Sequence, residues 1–250
     1  MPLVLAAHRP VRSRMSADEL SHLHLLEHAQ VDIEGRMPWS SNATFLCNLS
    51  VEGEHVGQAI YKPLRGERPL WDFEPGLYRR EVAAYLLSEA MGLGIVPPTV
   101  VRNGPLGDGS LQWFIDADHQ QHYFTLYENR PDLHEAMQAF AVFDFVANNT
   151  DRKSGHILID GNDRLWGIDH GVCFSADFKL RTVVWEFADQ PIPAHLVAAA
   201  SSVADAPPLT VAALLADDEV EAMQERAQWL VEHPVFPADP SGRRYPWPLV

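Results

Sequence analysis

Apolar residues in this chain recur at two periods, and the switches between them mark out its elements. Asp18 precedes Leu20, Leu23 and Leu26 at roughly helical spacing, which predicts a first helix over residues 18–30. Residues 44–51 and 56–61 are strand-like, and Glu52-Gly53-Glu54 between them signals a turn, so a hairpin is predicted. Residues 74–91 read as a helix with Tyr78, Val82, Tyr85 and Leu86 on one stripe and Gly92 as its terminator. Pro97-Pro98 opens an extended stretch. Residues 111–115 and 122–127 read as a second hairpin across a polar connection. Residues 133–147 predict a strong helix in which Asp144 is the one polar member of the periodic face, with Asp132 and Glu135 as cap and third-position partner. Two short strands, 156–159 and 164–168, are joined by Asp160-Gly161-Asn162-Asp163. Beyond Pro193 the pattern is helical, and the last helix begins at Asp217-Asp218 with Val220, Met223, Ala227 and Leu230 on one face.

This order is β-rich with one helix, then helical with an inserted hairpin, and it predicts a bilobal α+β fold. The expected units are an arm and helix (1–34, with Arg9, Arg12 and Arg14 in the arm), a β-rich N-lobe (35–115), a mainly helical C-lobe (116–233) and a tail (234–250). The tail holds five of the 19 prolines together with Tyr245 and Trp247, and reads as a surface strap.

Composition narrows the function. A hydrophobic fraction of 46% and seven Trp are enough for a sizeable core in 250 residues. Nineteen basic against 34 acidic residues give a net charge of −15, which argues against a nucleic-acid partner and against stable docking on anionic membranes. Cys47 and Cys173 sit among apolar neighbours outside any paired-cysteine motif and read as buried hydrophobes in a reducing compartment. Residues 2–7 are too short and too weakly apolar for a signal peptide, and no run reaches transmembrane length. A soluble, cytoplasmic protein is expected.

The chemistry concentrates in Asn149-Thr150-Asp151-Arg152, followed by His156 and then by Ile168-Asp169-His170-Gly171. Taken alone, the first motif is equally a helix-terminating turn and the second a turn carboxylate. Together they supply what phosphoryl transfer requires: one carboxylate to orient the attacking hydroxyl, and another with a second ligand to hold a divalent metal against the phosphates. Lys62 closes an apolar strand and can reach phosphates, or it can be a solvent-facing edge lysine. Glu81 borders the buried stripe of its helix and needs a counter-charge, for which Lys62, Arg79 and Arg80 compete. The small polar residues of the 37–43 loop can turn backbone N–H groups towards phosphate, although Gly35 is the only glycine nearby. His156 departs from the oxygen ligands that suit Mg²⁺ and fits Mn²⁺, a phosphate contact or simple packing. His22, His24 and His28 lie near one another on the first helix with no acid-rich metal motif around them, and read as a solvated or packed face.

The segment Phe143-Asp144-Phe145-Val146-Ala147-Asn148-Asn149-Thr150-Asp151-Arg152, with Ile168-Asp169-His170-Gly171, resembles the phosphatidylinositol 3-/4-kinase-like group. Its type II phosphatidylinositol 4-kinases are the nearest branch, and bacterial HipA-like kinases are more distant relatives. The chain looks most like an actinobacterial member carrying Tyr61-Lys62-Pro63-Leu64-Arg65-Gly66-Glu67, and the resemblance spans residues 35–184. It implies a protein-kinase-like fold using ATP with Mg²⁺ or Mn²⁺. In that reading Lys62 binds the α- and β-phosphates and is held by Glu81, while Ser40, Ser41 and Asn42 line the phosphate loop. Trp113, Phe114 and Ile115 lie near the adenine hinge, Asp151 and Arg152 form the catalytic loop, and Asp169 and His156 bind the metal. Residues 171–190, with Lys179 and Arg181, match an activation or substrate segment. The charge balance favours a soluble small-molecule or protein acceptor over a lipid. His156 and the thin glycine loop also leave room for a nucleotide-binding pseudokinase, and the fold for an AMP-transferring variant.

Overall fold

The computed structural model describes residues 17–38, 40 and 42–250. The expected arm with its three arginines, the loop residues Trp39 and Ser41, and the side chains of Ala17 and Leu20 lie outside the described residues.

A five-stranded antiparallel sheet builds the N-terminal lobe from β1 (Gln30–Arg36), β2 (Phe45–Val51), β3 (Glu54–Pro63), β4 (Thr99–Gly104) and β5 (Gly107–Trp113), in the order β1-β2-β3-β5-β4. Strand periodicity sorts its side chains. Cys47 and Leu49 of β2 and Ala59 and Tyr61 of β3 join Leu26 and Ala29 in a small buried core under α1 (Ala17–His28). The same alternation turns Ile60 and Lys62 to the opposite face, into the interlobe cleft. β3 lies between β2 and β5, with Lys62 opposite Ser110, so Lys62 is not an edge residue. At Gly109 the backbone of β3 comes so close that a Cβ would stand 2.5 Å from the Lys62 carbonyl oxygen.

α2 (Leu77–Ala90) crosses from this sheet to the second, larger core, which it enters through Ala83, Ala84 and Leu87. It ends as expected at Gly92, whose φ of 67° is left-handed; the next N–H, of Leu93, returns to the Ser88 carbonyl at 2.9 Å. The C-terminal lobe gathers α3 (Tyr123–Asn129), α5 (Ala194–Asp205), α6 (Leu209–Ala212) and α7 (Asp217–Glu232) around α4 (His134–Ala147), which is buried along most of its length. A two-stranded hairpin, β6 (Ile157–Ile159) and β7 (Leu165–Gly167), follows α4. This is the α+β bilobal arrangement read from the sequence. Cys47 and Cys173 are both free and buried. Among the described residues no helix is long and apolar enough to cross a membrane.

Four local expectations are corrected. β1 is unexpected: the first helix is predicted to run to Gln30, and no element is predicted for residues 31–36. The chain leaves the helix at His28 and becomes an edge strand, so the expected unit boundary at residue 34 falls inside β1. The partner of β5 is β4 and not residues 122–127, which form α3. The run there fits either period, and burial of Tyr123 and Leu126, three apart, selects the helix. Asp132 does not cap α4: it lies in a 3₁₀ turn and pairs with Arg130 at 2.7 Å. The short strands of the second hairpin are each trimmed by a residue or two; before β6, Ser154–His156 makes a 3₁₀ turn. The tail lies across the C-lobe. The Arg244 carbonyl accepts from Thr182 N–H (3.1 Å) and Trp185 Nε1–H (3.3 Å), and the Leu249 carbonyl accepts from Ser154 N–H (2.8 Å).

Candidate active site

Lys62 enters the cleft from β3 and meets Glu81 of α2 at its ammonium, with Asp169 Oδ1 2.8 Å away on its other side. Glu81 is almost wholly buried, and its Oε2 accepts the backbone N–H of His170 at 3.0 Å. One carboxylate therefore joins the N-lobe lysine to the C-lobe segment carrying Asp169. The rival counter-charges are engaged elsewhere: Arg80 donates to Glu219 (2.5 Å) and to the Cys173 carbonyl (2.9 Å), and Arg79 donates to the Tyr78 hydroxyl. Burial opposes the charge on Lys62, but Asp169 and Glu81 outweigh it and raise its pKa. The charge of Lys62 holds the Asp169 carboxyl well below the usual carboxylate range, against desolvation. Asp169 sits at φ 63°, a left-handed conformation costing on the order of 1 kcal/mol for a non-glycine residue.

The loop expected to be catalytic is mounted on the end of α4. Asn148 takes the left-handed C-cap (φ 50°), and its side-chain amide donates to the Ser175 and Asp177 carbonyls at 2.8 and 2.7 Å. Asn149 Nδ2 donates to Asp144, and its Oδ1 accepts the Asp151 N–H at 3.0 Å. Asp151 thus projects from a fixed turn. Burial raises its pKa, against the lowering effect of a hydrogen bond from the Lys153 ammonium. Lys153 was not singled out from the sequence; its place two residues after Asp151, in a turn that reverses direction, was the available signal.

Arg152 requires correction. It was expected beside Asp151 in the catalytic role, but its side chain is fully buried behind the loop. Its guanidinium forks onto Asp144 (2.9–3.1 Å), donates to the Ile168 carbonyl at 3.0 Å and meets His170 Nε2 at 2.7 Å. Successive residues of an extended turn point in opposite directions, so Asp151 in the cleft sends Arg152 into the core. There it ties α4 to the strand end that carries Asp169.

His156 Nε2 stands 3.5 Å from Asp169 Oδ2. Desolvation pushes the imidazole down to about 4, so it is neutral near pH 7 and presents a lone pair. Among the described residues no group of three or more His, Cys, Asp or Glu is placed to hold a metal. The two-donor set of His156 and Asp169 fits a divalent cation that takes its remaining ligands from phosphate and water.

Two adjoining cavities share Ser40, Thr44, Lys62 and Asp169. The larger, about 460 Å³, has a mainly apolar wall that includes Ile60, Trp113, Phe114, Ile115, Leu158 and Ile168. The smaller, about 80 Å³, collects Asn42, Glu81, Asp151 and Gly171. The arrangement can seat a flat apolar group at one end and an anion beside Lys62 at the other. The loop residues are only partly free to serve it: Ser40 Oγ bonds Thr44 Oγ1 at 2.7 Å, and Asn42 Oδ1 accepts the Arg68 N–H at 2.9 Å. At the expected hinge position, Trp113 stacks on His22 at 3.8 Å, so one histidine of the first-helix cluster supports the cleft wall. The backbone N–H groups of Trp113 and Phe114 are taken by the carbonyls of Pro98 and Gln58.

Comparison with known proteins gives a consistent picture. The family model described as phosphatidylinositol 3- and 4-kinase matches residues 77–224, from the start of α2 into α7. Protein Rv2133c of Mycobacterium tuberculosis (strain ATCC 25618 / H37Rv) is 37% identical over 261 residues, covering 90% of this chain and 94% of its own length. Among solved structures, the golgi casein kinase superposes with a TM-score of 0.51 at 17% identity, covering 87% of this chain and 76% of that one. The Helicobacter pylori proinflammatory kinase CtkA superposes with a TM-score of 0.52 at 10% identity, covering 84% and 94%. Both share the fold.

Proposed function

The chain belongs to the phosphatidylinositol 3- and 4-kinase family, and from that premise we propose that it is an ATP-dependent phosphotransferase acting on a soluble acceptor. The observation that carries this reading is the meeting of Lys62 with Glu81 and Asp169 in a cavity that Asp151 also lines. In the proposed mechanism the adenine lies against Ile60, Trp113 and Leu158, and Lys62 neutralises the α- and β-phosphates. His156 and Asp169 hold Mg²⁺ or Mn²⁺, which when bound neutralises charge on the transferring group. Asp151 accepts the hydrogen bond, and finally the proton, of the acceptor hydroxyl. The acceptor oxygen bonds to the γ-phosphorus as the bond to the ADP oxygen breaks. Lys153 offsets the negative charge that gathers beside Asp151. Positioning and electrostatics supply the rate.

The type II phosphatidylinositol 4-kinase branch is the family placement we propose, on the Asn149-Thr150-Asp151-Arg152 loop. The acceptor is proposed to be a small molecule or protein in the cytoplasm, and neither nucleic acid nor a stably bound membrane, because the net charge is −15. Asp151→Asn and Asp169→Ala should each abolish ADP release from ATP, and only Asp169→Ala should strongly weaken metal-dependent nucleotide binding. Wild-type turnover in both variants rejects the assignment. A two-donor metal set favours a second reading, a nucleotide-binding module without turnover. It predicts thermal stabilisation by ATP with no ADP formed, and mass spectrometry of candidate targets separates phosphate from AMP transfer.

A further inference from the structure

The C-lobe holds a cavity of about 680 Å³, larger than the nucleotide cleft and sharing no lining residue with it. α7 forms one side with Ala222, Arg226 and Trp229, and Phe145 of α4 forms the floor. The segment after Gly171 contributes Phe178, and the tail closes the far side with Arg244. Phe145 lies 5.4 Å from the Phe178 ring and 5.2 Å from the Trp229 ring, so the wall is a connected aromatic surface. Phe178 and Trp229 nevertheless remain 44% and 39% exposed. Large aromatic side chains left open around a cavity are what an apolar ligand would cover.

The charges select the kind of ligand. Arg226 is 7% exposed; its Nε donates to the Val146 carbonyl at 2.9 Å and its Nη1 to the Ser175 carbonyl at 3.4 Å. Its Nη2 is buried with no hydrogen-bond partner. Glu225 also lines the cavity but is exposed at its rim. Arg244 supplies a second cation, its guanidinium 4.7 Å from the Phe178 ring centroid and 3.9 Å from Asp239. A protein of net charge −15 thus places two arginines in one apolar cavity, one of them buried with a guanidinium nitrogen unpartnered; its acidic neighbours Glu225 and Glu219 act on it only through space, and Glu219 is already paired with Arg80. A buried charge of this kind is costly unless an anion accompanies it.

We propose that this cavity is a binding site for an apolar anion, a carboxylate carried on an acyl or aromatic body, with the carboxylate towards Arg226 and Arg244 and the body against Phe145, Phe178 and Trp229. The proposal is independent of catalysis in the interlobe cleft. The site adjoins the backbone that Asn148 and Arg226 fix at Ser175.

The test uses the full chain with 8-anilinonaphthalene-1-sulfonate as probe and decanoate and decanol as competitors. One saturable probe site is expected, displaced by decanoate at least tenfold more effectively than by decanol and unaffected by ATP. Ala222→Trp, which fills the cavity from α7, should abolish probe binding, and Arg244→Gln should weaken it about tenfold. Arg226→Met should do the same where circular dichroism shows it folded; otherwise the other two variants carry the result. Absence of saturable binding, undiminished binding in Ala222→Trp, displacement by ATP, or equal competition by decanol would each overturn the proposal.

Discussion

Replacing Arg152 by Met separates architecture from chemistry in the catalytic loop. Arg152 and Asp144 are both fully buried, and the guanidinium supplies three of the hydrogen bonds that the Asp144 carboxylate accepts, beside those from Asn149 (3.1 Å) and Thr182 (3.0 Å). Removing the arginine leaves a carboxylate in the core without its cation, and it strips a donor from the Ile168 carbonyl. Breaking one partner of such a pair costs about 3–5 kcal/mol, because the survivor stays buried and uncompensated. For a chain of this size about 2–4 °C of melting temperature is lost per kcal/mol, so Arg152→Met should melt roughly 6–20 °C below wild type. Removing both charges, as Asp144→Leu with Arg152→Met, should recover at least half of that loss, since the isolated charge is what is expensive. Thermal unfolding followed by circular dichroism reads the stability, and ADP release at 20 °C reads the activity of the fraction that remains folded. An Arg152→Met protein that melts with wild type yet has lost turnover would refute a structural role and return Arg152 to the reaction.

Two further outcomes follow from the site geometry. Glu81→Gln keeps the shape that receives His170 N–H but removes the charge that holds Lys62, so ATP affinity should fall about tenfold by calorimetry; unchanged affinity would show that Lys62 needs no clamp. Burial raises the Asp151 pKa while Lys153 lowers it, so the acid limb of kcat/KM should lie above the ordinary carboxylate range. Removing the ammonium in Lys153→Met disfavours the charged form and should move that limb to higher pH, and a limb that stays in place would take Asp151 out of the titration.

The residues that the sequence brought together as a set, Lys62, Glu81, Asp151, His156 and Asp169, do line one cleft. Lys62, Asp151 and Asp169 were legible because each sits at or just past the end of a strand or helix, and Glu81 because an acid bordering the buried stripe of α2 needs a counter-charge. The partner of Glu81 was not decidable from spacing, since Arg79 and Arg80 are equally near in sequence; only the fold sends Arg80 to Glu219. Arg152 was misread because adjacency to Asp151 suggests shared function, whereas alternation in an extended turn puts neighbours on opposite sides. β1 and α3 were lost for a different reason. Both are short amphipathic runs that fit either period, and their state is set by what they pack on: β2 for one, and for the other the larger core, which takes Tyr123 and Leu126. Ser40 and Asn42 reach the cleft, but their side chains already serve the loop itself, which composition alone could not reveal.

Lys62 links these observations, because it stands between two carboxylates from different lobes. Glu81 is buried and also bound to His170 N–H, so it stays where it is. Asp169 is the mobile claim: its side chain is about half exposed, and its contact with Lys62 occupies the ammonium that nucleotide phosphates would need. Once phosphate takes Lys62, Asp169 loses its cation, and the neighbouring His156 cannot replace it because burial keeps the imidazole neutral near pH 7. The released carboxylate and the imidazole lone pair then form a donor set that is poor in the resting site and strong only after nucleotide has entered. ATP and a divalent cation should therefore bind with positive coupling, and by linkage each should raise the affinity of the other by the same factor. Calorimetric titration of a non-hydrolysable ATP analogue with and without Mn²⁺ measures that factor, and the same titration in His156→Ala should reduce it. Because the analogue also binds the metal in solution, the comparison is made at fixed free Mn²⁺. A coupling factor of one in the wild type would mean that Lys62 and Asp169 do not exchange partners, and the account of Lys62 as the shared element of the cleft would fail with it.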